Sequence, residues 1–347
     1  MNNIAIVGAG LVGRLVALNL LKQGYQISLF DEDSRKGEKA AAMTAAGMLA
    51  PYSELETAES IIAELGKQSI QLWPDLLKQI NADDAFQFEG SLILAHPQDL
   101  PELKQFINSI EHKVSLKGEI KSLDSAAIQA LEPELAQHQQ GFYIKNEGQV
   151  NAQRFMQAST DYLSAQTNVN WFENTKISQI LPKGVVILDN SGEQKSFNWV
   201  FDTRGLGAKK EVANLRGVRG EVFWLDAPDV NITRPVRLQH PRYKIYLVPR
   251  GNGRYVVGAT EIESEDKSPM SVRSSLELLS AVYTIHPSFG EARIVKTLTN
   301  CRPALRDNLP KITQTDCCIT INGLYRHGYL LAPALVKAAL TKMSNHE

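Results

Sequence analysis

The sequence predicts an α/β fold in which a parallel-sheet unit, assembled from non-contiguous pieces, carries an inserted antiparallel-sheet (α+β) unit. Three observations predict it. The opening "NNIAIVGAGLVGRLVALNLLKQGYQISLFDED" runs strand, tight turn, helix, strand. From 216 to 300 the pattern changes to short strands with turn residues between them. The C-terminal stretch then returns to strand, glycine-rich turn and helix.

Taken in order, Ile4 to Val7 form a short apolar run of the kind a buried parallel strand needs. Leu11, Leu15, Leu18 and Leu21 recur at helical spacing, Gly24 closes that helix, and Ile27 to Phe30 make a second strand. Residues 57–80 read as helix, "GSLILAH" as a strand, and "VNAQRFMQASTDYLSAQ" as an amphipathic helix. "VNWFENTKISQI", "GVVILDN" and "SFNWVFDTRGLGAKK" return to strands, the last running into a glycine turn. "GVRGEVFWL", "YKIYLVPR", "RYVVGATE" and "ARIVKTLTNCRP" are the antiparallel strands, with "PRGNGR" as a hairpin turn. "CCITING", "LYRHGYLLAP" and "ALVKAALTKM" complete the chain as strand, turn and helix, with Pro333 expected at the first helical position.

Composition narrows the function. The chain has 347 residues, enough for two domains or one large composite. A net charge of −1 gives no sign of a nucleic-acid or anionic-membrane partner. Three cysteines, two of them adjacent (Cys317, Cys318), do not make a disulfide framework. A reducing, cytoplasmic setting is expected, with that pair read as small buried apolar residues. No cluster has metal-ligand spacing, so no metal is expected. The first apolar block is broken by three glycines and Arg14 and lacks a basic leader, so neither a signal peptide nor an integral membrane segment is expected. A homo-oligomer stays open.

Gly8-Ala9-Gly10-Leu11-Val12-Gly13 is the first motif that carries chemistry. Gly8 permits the tight turn, Gly10 lets a pyrophosphate approach the backbone, and Gly13 lets helix and strand pack closely. The phosphates then meet free N–H groups at the positive end of the helix. Asp31 ends the second strand, where a carboxylate can bind ribose hydroxyls. Strand, helix and acid together point to a Rossmann-type dinucleotide site. The acid disfavours NADP and leaves NAD and FAD open.

Several separated segments decide between them. "AAMTAAGMLAP", "FENTKISQI", "DTRGLGA", "KIYLVPRGNGRYVVGATE", "CRPALRDNLPKI" and "GLYRHGYLLAP" are similar to motifs of the D-amino acid oxidase (DAO) superfamily of flavoproteins, and most of all to its glycine oxidase branch tied to thiamin biosynthesis. The resemblance implies a Rossmann-type FAD-binding domain (1–80, 146–215 and 300–347) with an inserted substrate-binding domain (81–145 and 216–299). It implies non-covalent FAD, with Thr44 near the pyrophosphate and Ala46, Gly47 and Met48 along the flavin ring. Ile177 would meet the adenine, and Gly205 and Gly207 would pack over the cofactor. Gly328, Tyr329, Leu330 and Leu331 would line the flavin's pyrimidine edge. Arg302 would clamp a substrate carboxylate, because a planar guanidinium fixes both its charge and its orientation. Tyr246 would reach the same carboxylate, and Arg326 would stand near the entrance. The expected activity is oxidation of a small amino acid or amine (glycine, sarcosine or a D-amino acid), with oxygen as acceptor and hydrogen peroxide as product. The alternatives are a dehydrogenase passing electrons to a quinone or carrier protein, and a flavoprotein that assists maturation of another enzyme.

Overall fold

The computed structural model describes residues 3–114, 118–240 and 245–345. Its first sheet has six strands in the spatial order Lys311–Thr315, Cys318–Asn322, Trp199–Asp202, Asn3–Val7, Gln26–Phe30 and Val169–Phe172. All neighbours are parallel except the edge strand Lys311–Thr315. The helices Leu11–Lys22, Ser60–Gln79, Ala152–Ser164 and Gly328–Ser344 share one continuous apolar core with this sheet. Its other face is covered by a three-stranded antiparallel sheet, Ile177–Leu181, Val185–Leu188 and Gln194–Ser196, through Val7, Phe30, Ile177, Val186 and Val200. Burial on both faces explains why the central strands read as unbroken apolar runs rather than as alternations.

The second large sheet has eight strands: Arg293–Ala304, Arg216–Asp226, Arg254–Gly258, Ile245–Pro249, Val236–Gln239, Ser91–Ala95, Gln140–Ile144 and Ile120–Asp124. One pair is parallel, Val236–Gln239 against Ser91–Ala95. The turn between Pro249 and Arg254 uses left-handed backbone at Gly251, Asn252 and Gly253, as its sequence predicts. Lys244, which opens the hairpin motif, lies outside the described residues.

Three expectations need correction, and one strand went unpredicted. Val272–Ile285 is a helix inside the stretch read as strands and turns, capped by Ser271, whose side chain accepts from Ser274 N. Lys311–Thr315, unremarked in the sequence, is the edge strand of the parallel sheet. The last helix begins at Gly328, so Pro333 lies inside it and not at its first position. The ring at 333 removes the N–H that would bond to Tyr329 O, and Trp73 Nε1 donates to that carbonyl instead at 3.0 Å. Finally, Cys301 is the buried cysteine, while Cys317 and Cys318 are only partly buried, packed against the two apolar clusters beside the parallel sheet.

Candidate active site

One cavity of about 810 Å³ runs from the glycine-rich turn to the antiparallel sheet. Gly8, Gly10, Asp31, Thr44, Ala46, Gly47, Met48, Ile177, Gly205, Gly207, Tyr246, Arg302, Arg326, Gly328, Tyr329 and Leu330 all line it. Gly13 and Leu331 stand behind the lining; Leu331 is fully buried in the core.

At one end, Gly8 has φ +102°, and a Cβ there would meet the Thr203 backbone at 2.7 Å. A Cβ on Gly13 would lie 1.9 Å from Gly8 O, so helix and turn touch through bare backbone. Gly10 is different, since a Cβ there meets nothing within 4 Å. That open space is what a diphosphate needs at a helix N-terminus. Asp31 is held by two main-chain donors, Ala9 N to Oδ2 and Asp33 N to Oδ1, the latter at 2.7 Å. Burial raises its carboxyl above the ordinary value.

Arg14, one turn into the helix, was passed over as an interruption of an apolar run. It is fully buried. Its guanidinium donates to Ala9 O at 2.7 Å, Met156 O at 2.8 Å and Arg35 O at 2.8 Å, fastening three segments behind the glycine turn. Burial lowers its pKa to about 10. An arginine on an otherwise apolar helix face was the available signal.

The loop "GMLAPYSE" breaks off from helix for a geometric reason. Gly47 has φ +64°, and a Cβ there would lie 1.9 Å from Val150 O. Met48–Leu49 pairs with Gly148–Val150, which presents the small residues Ala45 and Ala46 to the cavity. Arg250, half-buried and lowered to about 10 by desolvation, donates to Ala46 O.

At the other end stand the arginines. Arg302 sits on the strand Arg293–Ala304, opposite Val218. Its Nη1 donates to Thr260 O at 3.1 Å, and among the described residues it makes no ion pair. Tyr246 lies across from Gly258 in register, its hydroxyl in the space that a side chain at 258 would fill. Burial pushes its phenol pKa up, against the opposing fields of Arg302 and Arg237. Pro303 rests over Gly205, joining the "RP" motif to the glycine turn that follows Trp199–Asp202. Arg204, beside that turn, is occupied by Asp202 at 2.7 Å.

Arg326 is committed elsewhere. Its Nε pairs with Glu54 Oε2 at 2.8 Å, Nη1 with Glu261 Oε2 at 3.0 Å, and Nη2 donates to Thr57 Oγ1 at 2.7 Å. Glu54, at the end of "GMLAPYSE", also takes Arg237 at 2.7 Å and His327 at 2.9 Å. Burial opposes its charge, yet Arg326 and Arg237, with a hydrogen bond from His327, hold its carboxyl well below the usual glutamate range. Glu54 and Arg237 were not foreseen, because their partners come from chain segments 183 residues apart.

The lining suits an FAD: open backbone at Gly10, an acid at the ribose end, and small residues at 45–47 where a flat ring must approach. Gly328 and Tyr329 open a 17-residue helix facing the cavity, whose N-terminal dipole favours negative charge there. Among the described residues no group of three His, Cys, Asp or Glu side chains is placed to hold a metal, and no helix is long and apolar enough to cross a membrane.

Comparison with known proteins agrees. The chain is 37% identical over 334 residues to a Rhizobium etli protein provisionally assigned as the thiamine biosynthesis oxidoreductase ThiO, covering 96% of this chain and 93% of that one. It is 25% identical over 349 residues to the glycine oxidase of Geobacillus kaustophilus, covering 95% and 90%. The crystal structure of glycine oxidase from Bacillus cereus superposes with a TM-score of 0.84 at 21% identity, covering 100% and 96%, which shows the shared fold. The model of the FAD-dependent oxidoreductase family DAO matches residues 3–340, and the chain belongs to that family.

Proposed function

We propose that this protein oxidises a small amino acid or secondary amine, such as glycine, sarcosine or a D-amino acid, at its Cα–N bond. Bound FAD supplies the hydride acceptor for that bond. The observation that carries the reading is Arg302, a cavity-lining guanidinium without an acidic partner among the described residues. It can take a substrate carboxylate through two parallel hydrogen bonds. The Tyr246 hydroxyl would add a further donor and fix the tilt of the bound acid. Such an anchor turns the neighbouring carbon toward the loop at 45–48. The acids Glu54 and Glu261 are engaged with arginines, so neither is free to act as a base. An amine that binds neutral gives its Cα hydride without a side-chain base, leaving an imine that water hydrolyses to the 2-oxo acid and ammonia, or to the 2-oxo acid and a primary amine when the substrate is a secondary amine.

We take oxygen as the electron acceptor, with hydrogen peroxide as product, and thiamin biosynthesis as the setting. The likeness to ThiO and to glycine oxidase supports both assignments. The test is anaerobic titration of the yellow protein with glycine, sarcosine and D-alanine. Loss of the visible flavin band with at least one of them is expected. A flavin that stays oxidised with every amino acid overturns the reading. Peroxide release on admitting air separates an oxidase from a dehydrogenase that reduces only dyes or quinones.

A further inference from the structure

Arg302, Arg326 and Arg237 are among the arginines that line the cavity, and one acid silences two of these three. Arg302 has no acidic partner among the described residues. Arg326 is held by Glu54 and also by Glu261. Arg237 is the more exposed case chemically. It is 9% accessible, it lines the same cavity, and Glu54 is its one acidic partner among the described residues, at 2.7 Å. Its Nε is buried with no hydrogen-bond acceptor. The guanidinium thus has one unsatisfied N–H, and Glu147 adds an attractive field without an ion pair.

We propose that Glu54 is a specificity-determining residue that restricts the cavity to substrates with a single carboxylate. With Glu54 ionised, Arg302 is the one cation of the three left to receive an anion. A second carboxylate on the substrate would meet Glu54 as a like charge and find Arg237 already paired. Neutralising residue 54 changes this arithmetic by one unit. Arg326 retains Glu261, whereas Arg237 loses its counter-ion and becomes a second anion acceptor within the same space. This inference rests on the proposed carboxylate-binding role of Arg302.

The experiment compares paired substrates that differ by one carboxylate: sarcosine with iminodiacetate, and D-alanine with D-aspartate. The ratio of kcat/KM within each pair is measured for the FAD-loaded wild type, Glu54→Gln and Glu54→Asp. In Glu54→Gln the ratio should move toward the dicarboxylate by about tenfold or more in at least one pair, the scale of one charge-assisted contact. Glu54→Asp keeps the charge and should keep the wild-type ratio. An unchanged ratio in both pairs for Glu54→Gln overturns the inference while leaving amine oxidation intact. A wild type that oxidises neither these four nor glycine fails the functional reading itself, and one that oxidises glycine alone is decided by the binding comparison that follows. Should Glu54→Gln lose its flavin, binding to the wild type decides. Acetate should then perturb the flavin spectrum at about tenfold lower concentration than malonate, and equal or tighter binding of malonate overturns the inference.

Discussion

The guanidinium of Arg302 occupies the place of the side chain that residue 220 lacks. A Cβ built on Gly220 would lie 2.2 Å from Arg302 Nη2 and 2.4 Å from Cζ. The atoms it meets are the far end of a flexible side chain, so Gly220→Ala should fold but push the guanidinium out of position. The expected result is a raised KM for amino acid substrates with little change in melting temperature. An unchanged KM would mean that Arg302 does not hold the carboxylate in this pose.

Arg302→Leu tests the anchor directly. Losing a charged, two-point contact should cost about 1.5–3 kcal/mol of substrate binding, or roughly 10- to 150-fold in KM. FAD content, read from the visible spectrum, should be retained. Arg326→Leu should behave differently, since that arginine is bound to Glu54 and Glu261. It should lower thermal stability, because it leaves Glu54 short of a counter-charge in a buried site.

Gly10 and Gly13 separate ligand binding from folding. Gly13→Ala drives a methyl into Gly8 O and should destabilise the apoprotein. Gly10→Ala meets no protein atom within 4 Å, so the apoprotein should melt as the wild type does. Its FAD dissociation constant should nevertheless rise by about tenfold or more, because the methyl enters the space reserved for the diphosphate. Equal FAD affinity in Gly10→Ala and wild type would argue against that placement.

The carboxyl of Glu54 gives a pH signature. Its folded pKa is depressed below the ordinary 4.5. The ionised form therefore adds stability that is fully present above 4.5 and is lost as pH falls from there through the folded value. The difference in unfolding free energy between wild type and Glu54→Gln should be largest near neutral pH and should shrink in acid. Urea titrations at several pH values measure it, and a difference that stays flat across the acid range contradicts the assignment.

Trp73 and Pro333 form a coupled pair. Trp73→Phe leaves the buried Tyr329 carbonyl without its donor and should cost about 1–3 kcal/mol. Pro333→Ala returns a backbone N–H one turn along the helix, so the double variant should lose less than the sum of the two single changes. Simple additivity in denaturant unfolding would show that the carbonyl finds water instead.

Much of this was legible because it is local. The glycine turn, its strand and helix, and the acid at 31 sit within one βαβ unit, so spacing alone carries them. The antiparallel strands were readable from their turns. The helix Val272–Ile285 was missed although Leu278, Ala281, Val282 and Ile285 repeat at helical spacing, because the strands around it set the expectation. What spacing cannot show is a meeting of distant residues. The link from Glu54 to Arg237 and His327 exists only once the two units have met, and the room that Gly220 leaves for Arg302 only once Arg216–Asp226 has paired with Arg293–Ala304. Arg326 was placed near the site by likeness to a family motif, but its two acidic partners could not be read from that motif.

The parallel pairing of Ser91–Ala95 with Val236–Gln239 has a consequence for how the molecule is made. A nascent chain released as far as residue 200 holds Ser91–Ala95 with one long edge unpaired. The first strand waits in the same way for Trp199–Asp202, and that strand for Cys318–Asn322. Such long-range closure slows folding and leaves sticky edges exposed during synthesis. Products truncated before residue 236 should therefore aggregate more than the full chain, as sedimentation of the two would show.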